Sequence, residues 1–375
     1  MIFKPNWRSL LLSTTTAMAF GLASPGAHAD IPDENYQAVL AHLLGTVMPP
    51  KLDEFHASTE TLTQDFENFC SDPDAGGLED TQTAFHAAMD IWQEIQPWRM
   101  GPLVANGRDQ HIEYWPDKHG TAARQFRKLM FDKPAAYTDP EKLAGASAAL
   151  QGFPALEEVL FADDHGDQMI AAEEDGVFLC QYGTAIATNL GTLSAELQDE
   201  WPEFASAMEN AGPDSMDYPT AKFAATDLYR ALHEGLLIIS TQKLARPLGE
   251  NAEDARASRA ESPLSKRSLR NIEHNLIGLF AMYDGKWDDI GEEGKGLAAL
   301  IDNSLLDRSF RLNWQTVGDS VAKLPPSVAE VLEQPDGYET LTDLKGQIEF
   351  LTTLVENDVG GNTQLGGGFN ALDGD

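Results

Sequence analysis

Apolar residues recur along much of this chain at the spacing of one face of an α-helix. The clearest run lies at Leu52, Phe55, Thr59, Leu62 and Phe66, where each step is three or four residues. Because an α-helix has about 3.6 residues per turn, these positions form one stripe along a helix. Alternation of polar and apolar residues, which would indicate β-strands, is nearly absent. The pattern therefore predicts an all-α protein.

Further segments carry the same spacing and are separated by loops rich in glycine, proline and acidic residues. Pro49 and Pro50 interrupt the first segment and predict a kink or break, because proline removes a helical hydrogen bond. Periodicity is weak between Pro97 and Lys142, and long irregular stretches of this kind are often functional. The predicted helices cover residues 36–69, 80–98, 122–130, 147–161, 177–210, 221–244, 265–283, 296–302 and 338–356.

The order of these helices repeats along the chain. Two long helices, a loop and a shorter helix occur once before residue 168 and once after it. This order predicts two helical-bundle domains related by an internal duplication. The acidic segment 161–176 is typical of an interdomain connection. We therefore expect an N-terminal bundle at residues 30–168 and a C-terminal bundle at residues 169–375.

The first 29 residues have the features of a secretory signal peptide. Lys4 and Arg8 precede a short apolar stretch, and small residues at Ala27 and Ala29 precede Asp30. Elsewhere no uncharged apolar run reaches the roughly 18 residues that a membrane-spanning helix needs. The sequence therefore predicts an exported protein of the periplasm that does not span the membrane.

The chain is strongly acidic, with 60 Asp and Glu against 26 Lys and Arg and a formal net charge of −34. This balance excludes nucleic-acid binding through a general basic face, because phosphate contacts need clustered Lys and Arg. Cys70 and Cys180 are too few for a thiolate zinc site with four cysteines. In an oxidising compartment the two could pair, but the sequence does not show whether they lie within reach of each other.

The segment QGFPALEEVLF, residues 151–161, places a carboxylate on an apolar stripe. In a helix, Phe153, Glu157 and Leu160 share one face. A buried carboxylate needs an arginine, a hydrogen-bond network, a metal ion or a proton, since leaving it charged and unpaired costs several kcal/mol. Gly152 and Pro154 mark a helix start or kink beside it.

Arginine and aromatic residues concentrate in the irregular segment that precedes this helix. Arg99, Arg108, Tyr114 and Trp115 indicate the wall of a pocket, partners for Glu157, or plain packing of a long loop, and the sequence leaves all three open. The chain lacks the HExxH zinc motif, a P-loop, a nucleophile elbow and a dinucleotide-binding glycine fingerprint.

Several short elements together resemble the imelysin-like family. They are the signal peptide, Gly101-Pro102, YWPD at 114–117, QGFPALEEVLF at 151–161, ESPLSKRSL at 261–269 and the terminal LGGGFNALDGD. The resemblance covers nearly the whole mature chain. It implies an all-helical, two-domain periplasmic protein of duplicated four-helix bundles that is associated with bacterial iron uptake. The family is also filed as a metallopeptidase class.

The signature of that family is G-x-H-x-x-E, whose His and Glu are its proposed metal ligands. The matching run here is residues 152–157, with Pro154 where the family has His. Only Gly152 and Glu157 carry over, so the implied site loses one ligand. Glu157 remains the one metal ligand that the resemblance indicates, and iron is the metal it suggests.

Three functions follow from these observations. The first is a non-enzymatic role in iron acquisition, by binding iron, an iron chelate or an outer-membrane iron-uptake protein. The second is a helical interaction module without a metal site, and the third, least favoured, is a metal-dependent peptidase. A salt bridge from Glu157 to Arg99, Arg108 or Arg267 would favour the module, whereas several carboxylates or histidines converging on it would favour the first function.

Overall fold

The computed structural model describes residues 30–366, and helices make up most of that range, as the apolar spacing predicts. The bounds of the helices are α1 (Asp33–His42), α2 (Met48–Ser71), α3 (Ala75–Ile95), α4 (Arg108–Ile112), α5 (Thr121–Asp132), α6 (Pro140–Ala144), α7 (Gly152–Phe161), α8 (His165–Ile170), α9 (Glu174–Glu209), α10 (Ala221–Ile238), α11 (Ala245–Leu248), α12 (Ser268–Asp284), α13 (Ser304–Val321), α14 (Val328–Leu332), α15 (Gly337–Leu354) and α16 (Gly360–Thr363).

Short elements join these helices. Three π-helical turns at Leu43–Val47, Ile239–Leu244 and Val355–Val359 continue α1, α10 and α15 without a break in the chain direction. In the described residues the strands form one antiparallel pair, β1 (Lys286–Trp287) and β2 (Ile290–Gly291). The 3₁₀ turns are Gln96–Trp98, Gly101–Leu103, Ala105–Gly107, Ala135–Thr138, Ala148–Leu150, Ala252–Asp254, Ala257–Arg259 and Leu297–Leu300.

The most extensive helix packing involves α2, α3, α9 and α12. Helix α2 packs against both α3 and α9, while α12 packs against α3 from another side. The buried apolar side chains of these helices belong to one continuous core. From Ile31 to the end of the described chain, the helices form one compact unit. The division at residue 168 and the internal duplication stay predictions.

Proline and periodicity explain where helix bounds differ from the predicted ones. Pro49 and Pro50 lie in the first turn of α2, directly after the π-helical turn Leu43–Val47, and they lack the N–H groups that would bond to carbonyls of that turn. Helix α13 was not predicted. Segment 97–142 consists of 3₁₀ turns and the short helices α4, α5 and α6.

Cys70 and Cys180 form a disulfide that joins the end of α2 to α9. Their Cα atoms lie 5.6 Å apart, although 110 positions separate them in the chain. The question that the sequence left open is therefore answered by a pairing inside one chain.

Among the described residues, no helix combines the length and apolar character needed to cross a membrane. The predicted signal peptide at 1–29 and most of the glycine-rich C-terminal segment lie outside the described residues.

Candidate functional site

The first residue of α7 brings this helix against the end of α4. Gly152 has a φ of +67°, and a Cβ atom built there would lie 2.1 Å from the carbonyl oxygen of Ile112 and 2.5 Å from that of His111. Real side chains cannot approach backbone so closely, and the positive φ also favours glycine. Glycine is therefore required here because two backbone segments meet.

Helix α7 carries Glu157 into the interior, as its apolar stripe predicts. The side chain is 6% exposed. One oxygen, Oε1, accepts the backbone N–H of Ser265 at 2.8 Å and the hydroxyl of Ser265 at 2.6 Å. Burial raises the pKa of Glu157 to about 7, although the bonds from Ser265 and the charge of Arg267 act in the opposite direction. Of the partners that the sequence left open, the structure shows a hydrogen-bond network.

Beside Glu157 lies a group of buried polar side chains, which we name the buried polar cluster. Its members come from α3, from the residue after α4, from the π-helical turn after α10, and from α12 and the segment before it. All are less than 4% exposed. They are Gln93, Glu113, Lys243, Glu261, Arg267, Asn271 and Asn275.

Glu113 is the most strongly perturbed carboxyl group of this cluster. It accepts hydrogen bonds from Trp92 Nε1 at 2.7 Å, from Gln93 Nε2 at 2.9 Å and from Gln96 Nε2 at 3.2 Å. Burial and then the nearby charge of Glu261 raise its pKa to about 8, and Lys243 opposes this shift. Near neutral pH, Glu113 therefore holds a proton in the folded chain.

Lys243 joins the two sides of the cluster. Its ammonium group donates to Glu261 at 2.7 Å and to the side-chain oxygen of Gln93 at 2.8 Å. Asn271 donates a second bond to the same oxygen of Glu261 at 2.8 Å. Glu261 Oε1 and Asn275 Oδ1 are buried without a hydrogen-bond partner among the described residues. Asn275 Oδ1 is thus an unused acceptor of the cluster, whereas a protonated Glu113 can donate a hydrogen bond to Glu261.

Lys243 points inward because of the local helix geometry. It belongs to the π-helical turn Ile239–Leu244, which connects α10 to α11. π-Helical turns are rare and often occur at functional sites, since they change which side chains face inward.

Arg267 connects the cluster to α3. Its guanidinium donates to Asp90 at 2.6 Å, to Asn271 at 2.6 Å and to the carbonyl oxygen of His86 at 3.0 Å. It also lies 3.0 Å from Nδ1 of His86. Burial first, and then the positive charges of Arg267 and Arg270, lower the pKa of His86 to about 4. A neutral His86 can accept the Arg267 bond.

Asp90 extends the polar contacts toward the surface. It pairs with Arg270 and lies 3.2 Å from Nε2 of His274, whose Nδ1 is 2.8 Å from Glu94. Arg270 and His274 line a surface cavity of about 380 Å³, together with Glu273 and a rim that includes Pro325 and Pro326. The cavity lies between α12 and the end of α13 with the segment that follows it.

The arginines proposed from the sequence lie elsewhere. Arg99 pairs with Asp109 at 3.3 Å. Arg108 pairs with Glu200 at 2.8 Å and with Glu196 at 3.2 Å on α9. Among the described contacts, neither arginine reaches Glu157. The idea that they are its partners is therefore wrong, because each has an acidic partner nearer in the fold.

Two aromatic residues of the same segment lie next to the cluster. Trp115 follows Glu113 by two positions, and its ring centroid is 5.8 Å from the ammonium nitrogen of Lys243. Tyr114, between them, is half-buried. Of the proposed site residues, Trp115 is thus the one that contacts a charged member of the buried polar cluster.

The side chains near Glu157 do not fit the metal site that the family signature implies. Pro154, half-buried in the first turn of α7, offers no ligand atom. One oxygen of Glu157 is already bound by Ser265. Within residues 30–366, no three His, Cys, Asp or Glu side chains are arranged to hold a metal ion. The cluster instead places Glu113, whose pKa burial raises to about 8, beside the ion pair of Lys243 and Glu261.

Sequence reasoning missed Glu113, Lys243 and Glu261 as site residues. Glu113 lies in the segment without periodicity, and Lys243 depends on a π-helical turn that no α-helical pattern reveals. A signal was present for Glu261, because ESPLSKRSL begins with it and also contains Ser265 and Arg267.

Known proteins resemble this chain in sequence. The sequence model of the family described as Imelysin, Peptidase_M75, matches residues 49–355. Iron-regulated protein A of Synechococcus elongatus is 27% identical over 318 residues, which cover 84% of this chain and 83% of that protein.

Solved structures resemble it in fold. An imelysin-like protein from Psychrobacter arcticum 273-4 superposes with a TM-score of 0.73 at 17% identity, over 90% of this chain and 98% of that chain. A protein from Parabacteroides distasonis, assigned as an iron-regulated protein A precursor, superposes with a TM-score of 0.71 at 16% identity, over 87% and 95% of the two chains. At these identities the two structures show a common fold alone.

Proposed function

The chain belongs to the imelysin family, Peptidase_M75, and we propose that it is an exported, non-enzymatic protein of iron acquisition that binds iron as a chelate. The proposal has three parts, namely the link to iron, the absence of catalysis and the chelated form of the ligand. Each part has its own support.

The link to iron comes from relatives. The relative from Synechococcus elongatus is named iron-regulated protein A, and a structure with the same fold is assigned to a precursor of such a protein. Export is supported by the signal-peptide pattern at residues 1–29 and by the disulfide between Cys70 and Cys180, because disulfides persist in oxidising compartments.

The observation that carries the non-enzymatic role is that the carboxyl groups are buried and already hydrogen-bonded. Glu113, Glu157 and Glu261 are 3%, 6% and 1% exposed, and each accepts hydrogen bonds from neighbouring protein groups. A general base or metal ligand must reach the substrate, either directly or through one water molecule. These three groups are better placed to stabilise the fold than to perform hydrolysis.

The chelated form is favoured because the donor set around Glu157 does not suit a bare ion. Iron prefers several carboxylate or imidazole ligands, whereas Glu157 stands beside Pro154 and is bound to Ser265. In an iron chelate most ligands of the iron belong to the chelating molecule, so the protein needs only to contact the outer surface of the chelate.

A second candidate is a helical interaction module, for instance one that docks on an outer-membrane iron-uptake protein. The bonds between Glu157 and Ser265 favour it, since they give the carboxylate a structural role without any metal.

Calorimetry on the chain that begins at Asp30 tests these alternatives. Ferric citrate and ferrous iron alone are titrated separately into the unmodified chain, Glu157→Gln and Glu203→Gln. Glu203 is exposed on α9 and provides a matched control that loses the same charge. We expect stoichiometric binding of ferric citrate by all three proteins and no stoichiometric binding of ferrous iron.

Other results contradict the proposal. Stoichiometric ferrous iron binding that only Glu157→Gln loses would show a metal site at Glu157. If neither probe binds, iron binding is excluded and the interaction module is favoured. Cleavage of unstructured casein that a chelator abolishes would refute the non-enzymatic role.

A further inference from the structure

Three arginines gather near one aspartate at the surface beside the buried polar cluster. Arg246 feels the positive charge of Arg259 and the negative charge of Asp117. Asp117 in turn feels the positive charge of Arg124. We name Arg124, Arg246 and Arg259 the arginine patch. Its presence is unusual in a chain with 60 acidic and 26 basic residues, where carboxylates are available almost everywhere.

The aspartate in the patch is already occupied. Asp117 accepts the backbone N–H of Ala122 at 2.8 Å and that of His119 at 3.2 Å. Within the described part of the chain, neither Arg246 nor Arg259 makes an ion pair with a carboxylate. Arg108, Arg267 and Arg311, in contrast, each pair with one or more acidic side chains.

An aromatic ring, not a carboxylate, holds Arg246 in place. The central guanidinium carbon of Arg246 lies 5.6 Å from the centroid of the Trp115 ring, within cation–π range. Its Nη1 atom is enclosed and has no hydrogen-bond partner among the described residues. Arg259 lies in the 3₁₀ turn that packs against α11, and its side chain is exposed. One guanidinium is thus fixed and the other is free to move toward a ligand.

The neighbouring guanidinium groups of Arg246 and Arg259 repel each other, and the charge of Asp117 offsets only part of this repulsion. Burial and then the charge of Arg259 lower the pKa of Arg246, although the negative charge of Asp117 acts in the opposite direction. Guanidinium groups bind carboxylates and phosphates through paired, charge-assisted hydrogen bonds. A bound oxyanion would accept hydrogen bonds from the accessible N–H groups of the two guanidinium groups and offset their repulsion.

We propose that Arg246, Arg259 and the ring of Trp115 form a binding site for a small oxyanion, a carboxylate or a phosphate, at the surface above Lys243. Hydrogen bonds from the two guanidinium groups to the oxygens of an anionic iron chelate would hold the chelate at this site. The role of this site in iron binding rests on the proposed function, whereas binding of the anion itself does not depend on it.

The position of the site links it to the interior. The ring of Trp115 faces Arg246, and its centroid also lies 5.8 Å from the ammonium nitrogen of Lys243, whose partner Glu261 is buried. A ligand that moves the Trp115 ring therefore acts on a charged group of the buried polar cluster.

Calorimetry with metal-free anions tests the site. Citrate and inorganic phosphate are titrated, at constant ionic strength in chloride, into the unmodified chain and the variants Arg246→Gln, Arg259→Gln and Arg308→Gln. Arg308 is exposed on α13 and provides a control for the loss of one positive charge. We expect one anion per chain, affinity at least about tenfold weaker in the first two variants, and a change below about twofold in Arg308→Gln.

The preferred anion identifies its class, because a carboxylate site favours citrate and a phosphate site favours phosphate. The site is refuted if neither anion binds the unmodified chain, or if the three variants bind alike. Arg259 is exposed, so Arg259→Gln should leave the fold intact and decide the question even if Arg246→Gln fails to fold. Binding of metal-free citrate without binding of ferric citrate would support the site and contradict the iron role.

Discussion

Ser265 donates both its backbone N–H and its hydroxyl group to one oxygen of Glu157, at 2.8 Å and 2.6 Å. The two residues stand 108 positions apart, so the bonds tie α7 to the segment that leads into α12. The carboxyl group of Glu157, which is 6% exposed, is thus hydrogen-bonded by a serine and not by an arginine.

Replacing the serine should weaken this tie. In Ser265→Ala the hydroxyl bond is lost while the backbone bond remains, so we expect the free energy of unfolding to fall by about 1–3 kcal/mol. The pKa of Glu157 should rise above its value of about 7, since the lost bond favours the charged form. Urea unfolding and carboxyl ¹³C titration measure the two effects. Ser309→Ala, at an exposed position of α13, should change neither.

A methyl group at residue 152 should prevent the contact between α7 and α4. In Gly152→Ala the Cβ atom meets two carbonyl oxygens at 2.5 Å or less and the backbone keeps a positive φ, so we expect a loss of more than about 4 kcal/mol or failure to fold. Gly346→Ala provides the control. That glycine is exposed within α15 with nothing near its Cβ position, and alanine there should stabilise the protein by about 0.5–1 kcal/mol. Equal effects in thermal unfolding would contradict this explanation.

Glu113 should contribute a decrease in the stability of the fold as pH rises from about 5 to 8, whereas His86 contributes an increase below about pH 6.5. Burial and the charge of Glu261 raise the pKa of Glu113 from 4.5 to about 8, so between these values the folded chain holds a proton that the unfolded chain has released. Under this condition the free energy of unfolding falls with pH, by at most about 1.4 kcal/mol per unit for one group.

Glu113→Gln removes this titrating carboxyl group and should make the free energy of unfolding depend less steeply on pH over that range. Urea unfolding at several pH values measures the slope for the variant and for the unmodified chain. Glu203→Gln, which loses an exposed carboxylate, should keep the slope of the unmodified chain. A slope unchanged in Glu113→Gln would show that Glu113 titrates alike in the folded and unfolded chains.

Reduction of the disulfide should destabilise the chain considerably. The bond closes a loop of 110 positions, for which the chain-entropy model gives about 4–5 kcal/mol. Unfolding with and without a reducing agent measures the loss. The double variant Cys70→Ser, Cys180→Ser should match the reduced chain and show no effect of the reducing agent, and a reductant effect in that variant would point to another cause.

Much of the fold follows from helical periodicity, and α13 shows where that signal weakens. Its buried face carries Phe310, Trp314 and Val317 at the expected spacing. Leu305 and Leu312, however, are 78% and 55% exposed on the same helix. Apolar residues on the outer face blur the stripe, and the pattern then no longer separates an inner from an outer side.

The candidate site was only partly predictable for a different reason. Glu157 could be found because it interrupts an apolar stripe inside a regular helix. Glu113 and Glu261 lie in irregular segments, where spacing does not indicate which side chains face inward. Their proximity depends on contacts between residues 148 positions apart, and a single sequence contains no record of such contacts.

The π-helical turn at Ile239–Leu244 bears on how the length of this chain can vary. A π-helical turn holds one more residue than an α-helical turn, so removing one residue from it would leave a regular helix. Because the wider turn takes up the extra residue, such a deletion would preserve the path of α10 into α11 and leave Arg246 on its present side of the helix. The segment can therefore gain or lose one residue within this turn while Arg246 still faces Trp115.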